Sequence, residues 1–184
     1  RRVVKEGKKE MSDDRIALDT LTDENVDDNP PCVLVYGPEG VGKTSLAAEA
    51  IRPVFFRIER GMPKGIRPMG WNINNYSKLM DGISTLYTDD HDFGTLAIDN
   101  LTDLERKVIW PETCLRGDEK GSWQDIESPG FGKGYSMAMS LWEELFEGLD
   151  VLRSRGMSII LIGHSLIKEF KDPENQTHNV YDVA

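Results

Sequence analysis

The run Gly37-Pro38-Glu39-Gly40-Val41-Gly42-Lys43-Thr44 follows the apolar segment Val33-Leu34-Val35-Tyr36 and opens an alanine-rich stretch with Ala47, Ala48 and Ala50. Its spacing, G-x-x-x-x-G-K-S/T, constrains the fold more than any other feature of the chain. Glycines here admit backbone angles closed to other residues and let amide N–H groups approach an anion closely. A helix that starts directly after the loop turns its positive end to the same point. Lys43 adds a point charge for outer phosphates, and Thr44 adds a hydroxyl for Mg²⁺. The whole segment, with Ser45 behind it, is read as a nucleotide-binding loop that takes ATP and Mg²⁺. The plainer alternative is a tight strand-to-helix turn that carries a lysine by chance. The strand signal before it and the helix signal after it weigh against that.

The rest of the chain repeats this strand–helix alternation. After Pro53, Val54-Phe55-Phe56-Arg57-Ile58 reads as a second strand, and Gly61, Pro63, Gly65, Pro68 and Gly70 punctuate a long loop. Leu79, Ile83 and Leu86 recur at helical spacing, and Thr95-Leu96-Ala97-Ile98 is a third strand. Leu101, Leu104 and Val108 continue as a helix that Pro111 is expected to end. Leu141, Leu145, Leu149 and Leu152 form an apolar stripe beside Trp142 and Phe146, and Met157 to Ile162 is a fourth strand. The order implies an α/β fold with a mostly parallel central sheet and helices on both faces. Residues 1–30 run from a basic start into an acidic stretch and read as a flexible segment, leaving 31–184 as the organised core. The first residue is not Met, so the true N-terminus is expected to lie upstream.

Composition narrows the function classes. The chain has 184 residues, the length of one domain, with 22 basic against 32 acidic side chains and a net charge of −10. Such a chain is no indiscriminate nucleic-acid binder, so any nucleic-acid site must be local. Cys32 and Cys114 stand far apart with no C-x-x-C, which argues against zinc and disulfides and fits a reducing cytoplasm. No membrane span and no secretory signal are visible in the sequence.

Three further residues complete the expected chemistry. Asp99 ends the third strand, where a carboxylate can hold Mg²⁺ through its water shell; the alternative is a cap for the next helix. Asn100 follows it and cannot accept a proton, so a general base must come from another strand end. Glu59, closing the second strand, is the candidate, because parallel strands deliver their ends to one ligand-binding edge. A surface ion pair with Arg57 or Arg60 is the alternative. His164 closes the fourth strand and could sense the γ-phosphate on the same edge, whereas His91 reads as part of a polar turn.

Together these motifs resemble the RecA-like ATPase core. The chain is similar, in particular, to phage-encoded RecA-like nucleotide-binding proteins, a group that includes single-strand annealing recombinases. The likeness spans about residues 31–183. It rests on the GPEGVGKT loop, Arg52-Pro53-Val54-Phe55-Phe56 leading to Glu59-Arg60-Gly61, and Gly130-Phe131-Gly132-Lys133-Gly134-Tyr135. It rests also on His164-Ser165 with Phe170-Lys171-Asp172-Pro173. The resemblance implies Lys43 and Thr44 on phosphate and Mg²⁺, Asp99 on Mg²⁺, Glu59 as base and His164 as sensor. It implies homo-oligomers, single-stranded DNA and a single-strand-binding protein as partners, and a host cytoplasm. Single-stranded DNA would face the stretches near 130–135 and 166–181. Lys133, Lys168 and Lys171 are the residues that could touch DNA or act across a subunit boundary. Arg52, Arg57, Arg60, Lys64 and Arg67 would add a local basic patch. Two departures stand out: Arg57 replaces an Asp common in relatives, and Asn100 stands where ring-forming AAA+ ATPases carry Glu. A further strand is expected beyond Ala184. Competing readings are a small-molecule or nucleotide kinase and a nucleotide-gated assembly protein without turnover.

Overall fold

A computed structural model describes residues 29–58, 61–171 and 177–183, with side chains described through Ser165. Strands β1 (Cys32–Gly37), β2 (Pro53–Arg57), β3 (Met69–Asn72), β4 (Thr95–Asp99) and β5 (Ser158–Lys171) form a parallel sheet in the order β1-β5-β4-β2-β3. Strand β6 (Thr177–Val183) returns antiparallel along β5, pairing Lys171 with Thr177 and Ser165 with Val183. Residues 172–176, between the two strands, lie outside the described residues, as does the segment 1–28.

Alternation along the strands divides the core between two faces. Val54, Phe56, Leu96, Ile98, Ile159 and Leu161 point to one face. There α2 (Tyr76–Thr88) brings Leu79, Ile83 and Leu86, and α5 (Lys133–Ser154) brings Leu141, Leu145, Leu149 and Leu152. Phe55, Ala97 and Ile162 point to the other face and meet Ala47 of the short helix α1 (Lys43–Ala48). The expected α/β sheet flanked by helices is the observed architecture.

Two elements depart from the sequence reading. The helix that begins with α3 (Leu101–Leu104) does not stop at Pro111. It widens into a π turn (Glu105–Ile109) and continues as α4 (Trp110–Arg116), with Pro111 in the first turn of α4. The Trp110 N–H donates to the Glu105 carbonyl, so the wider turn accommodates a proline that lacks its own N–H. The long loop after Gly61 contains β3, a short strand hidden by Pro68 and Gly70. A Cβ on Gly70 would lie 2.0 Å from the Phe55 carbonyl oxygen, so only glycine allows β3 to approach β2 there.

Register places the functional edge. Ile162, Asp99, Arg57 and Asn72 stand side by side on β5, β4, β2 and β3, and His164 pairs with Gly37 two residues further along β5. His164 therefore does not close its strand, because β5 runs on to Lys171.

Candidate functional site

The loop after β1 closes around its own lysine. Gly40 and Gly42 have φ of 80° and 96°, and Gly42, in the left-handed region, starts α1. Lys43 is buried, and its Nζ donates to the carbonyls of Gly37 (2.8 Å) and Pro38 (2.9 Å). These bonds fix the ammonium in the mouth of the loop, where an anion would meet it.

A cavity of about 400 Å³ opens there. Glu39, Gly40, Gly42, Lys43, Thr44 and Ser45 line one side, and Asp99, Ile162 and His164 line the other. Thr44 Oγ1 donates to Asp99 Oδ2 at 2.7 Å, joining the first turn of α1 to the end of β4. The pair supplies hard oxygens of the kind Mg²⁺ takes alongside waters and substrate phosphates. Among the described residues no group of three or more His, Cys, Asp or Glu side chains forms a protein-only metal cage. Magnesium bound mainly through a nucleotide needs none.

Asn100 has a part the sequence did not reveal. Its Oδ1 accepts the Asp103 N–H at 2.8 Å and caps α3. That bond orients the amide, so Nδ2 donates to His164 Nε2 at 3.0 Å. In the tautomer that fits this bond, Nε2 is the acceptor and Nδ1 carries the proton. Asn100 sets the tautomer and direction of the imidazole, 64 positions away in the chain. Sequence reasoning also missed Gly61, Met62 and Pro63 as a cavity wall.

Other expected residues fall elsewhere. Glu59 and Arg60 lie outside the described residues, although Ile58 before them donates its N–H to the Asp99 carbonyl at 2.9 Å. Strand β2 itself ends at Arg57. Lys133 Nζ is held by Asp118 Oδ2 at 2.6 Å and lies 5.7 Å from the Trp123 ring centre. This hydrogen bond holds the Asp118 carboxyl below the usual range. Lys168 and Lys171 belong to β5, but their side chains lie outside the description. Tyr135 packs on Trp110 and donates to Glu127, whereas Phe131 stands fully exposed between two glycines with φ of 49°. The expected basic patch divides: Arg52 precedes β2 and lines a cavity with Arg67, while Arg57 ends β2 at the opposite edge. His91 accepts the Phe93 N–H on Nδ1 and donates to the Leu86 carbonyl, stitching the turn before β4.

No helix among the described residues is long and apolar enough to cross a membrane. No curated protein matches the chain. A family model described as an AAA domain matches residues 29–183. With a glycine-rich loop, a strand-end aspartate and a polar strand residue around one cavity, the chain belongs to the AAA-domain family of nucleotide-binding ATPases.

Proposed function

We propose that the chain is a Mg²⁺-dependent, RecA-like ATPase that acts on single-stranded DNA in annealing or recombination. The observation that carries this reading is the meeting of Lys43, Thr44, Asp99 and His164 on one cavity, with β5 between the loop strand and the aspartate strand. In this mechanism the backbone N–H groups of residues 39–44 and the Lys43 ammonium hold the phosphates of ATP. Thr44 and Asp99 would hold the metal, whose charge offsets that of the phosphate oxygens. Glu59 orients the attacking water in line with the γ-phosphate. Its place in the sequence supports that role, since Ile58 leaves the sheet hydrogen-bonded to Asp99. Catalysis is positioning and charge stabilisation.

His164 gives the site a route outward. It lines the cavity, and the same strand continues to Lys168 and Lys171. Loss of the γ-phosphate would reach that stretch along one continuous backbone. Lys133, Lys168 and Lys171 are the candidates for contact with DNA or with a neighbouring subunit's nucleotide in a homo-oligomer.

ATP hydrolysis by the purified chain, with and without a single-stranded oligonucleotide, tests the reading. Stimulation by the oligonucleotide, lost in Glu59→Gln, is the expected result. Turnover indifferent to DNA removes the recombination role, and turnover unchanged in Glu59→Gln removes Glu59 as the base.

A further inference from the structure

The larger cavity of this edge lies beside the nucleotide cavity. It measures about 650 Å³, and Gly61 and Met62 line both. Its lining is Arg57, Ile58, Gly61, Met62, Asn72, Ile73, Asn74 and Lys78, which includes two cations and, among the described residues, no carboxylate.

Its two cations come from different elements. Arg57 ends β2 in register with Asp99 on one side and Asn72 on the other. The guanidinium donates through Nη2 to the Gly70 carbonyl at 2.7 Å, which anchors it. Its Nε is shielded from water and has no hydrogen-bond partner among the described residues. A small movement of the fork toward an anion gives this donor a partner. Lys78 lies in the first turn of α2, so the positive end of that thirteen-residue helix opens on the same cavity. Asn72 and Asn74 add amide donors and acceptors, and Ile58, Met62 and Ile73 add apolar wall.

From this arrangement we infer that the cavity is a second binding site, for a phosphorylated ligand of nucleotide size. Arg57 and Lys78 take its phosphate, and the asparagines and apolar wall take its sugar and base. The volume lies within the range of small-ligand sites. The phosphate comes either from one unit of a single strand or from a free mononucleotide. A ligand here touches Gly61 and Met62 and so bears directly on the wall of the ATP cavity. The inference rests on the ATPase reading and deepens it by naming where a nucleic-acid or nucleotide ligand sits beside the ATP site.

The test measures binding of labelled thymidine monophosphate and of a labelled twenty-nucleotide oligothymidylate to the full chain saturated with a non-hydrolysable ATP analogue. Lys78→Glu and Arg57→Gln are each expected to weaken at least one probe by about tenfold. The affinity of Lys78→Glu for the ATP analogue should stay within about twofold of the unmodified chain. Loss for the oligonucleotide alone assigns the phosphate to a strand, and loss for the mononucleotide assigns it to a free ligand. Binding unchanged in both variants, or no binding of either probe to the saturated chain, overturns the inference. ATP turnover measured in parallel keeps the two readings apart, because an inert nucleotide site with intact probe binding refutes only the ATPase.

Discussion

Asn100 joins a structural and a chemical task in one side chain. Its oxygen caps α3 and its nitrogen orients His164. Asn100→Asp retains an acceptor for the cap and removes the amide N–H, so the His164 tautomer should shift in ¹⁵N NMR. Asn100→Ala should lose the cap as well, about 0.5–2 kcal/mol of stability by denaturant unfolding. An unshifted tautomer in both variants contradicts this assignment. A second residue-scale prediction concerns Asp118, whose carboxyl lies below its usual range through the hydrogen bond from Lys133. A depressed folded-state value means the pair adds stability above the unfolded carboxylate value and loses it as pH falls through the folded one. A ¹³C titration should therefore place Asp118 low, and Lys133→Ala should move it back up. At this scale the sequence was legible wherever spacing is local. Lys43 and Thr44 follow from eight consecutive residues, and Asp99 follows from a strand that ends in a charge. The Asn100–His164 contact was not legible, because only the order of strands brings these distant positions together.

Among the elements, the four strong strand signals and the two long helices were readable from periodicity. One helical feature and one strand were not. Proline rules foresee a stop at Pro111, yet the π turn removes the conflict before it arises. The strand β3 was masked by the residues that make it possible. Gly70 looks like loop punctuation in the sequence and serves in the fold as the point of closest approach to Phe55. Gly70→Ala should accordingly destabilise the chain by more than the loss of helix or strand propensity alone, and thermal unfolding checks it. Leu149→Ala, in the buried stripe of α5, should cost about 2–5 kcal/mol in denaturant unfolding. A cost below about 1 kcal/mol at Leu149 means that α5 does not hold the main core as described.

For the molecule as a whole, the parallel sheet explains why residues scattered from position 37 to 164 serve one site. Strands β1 and β4 end at the same edge, β5 passes through it with Ile162 and His164, and helix α1 points its positive end at it. The alternation of strands and helices made this edge foreseeable, but the second cavity beside it depends on β3 and on the division of the basic residues between two edges. The central claim is that this edge holds a Mg-nucleotide. Titration calorimetry with ATP tests it most directly, in the presence of Mg²⁺ and of a chelator, on the unmodified chain, Lys43→Ala and Asp99→Asn. The account predicts one site per chain, no measurable binding in Lys43→Ala, and loss of the Mg²⁺ dependence in Asp99→Asn. Retained ATP binding in Lys43→Ala would contradict it.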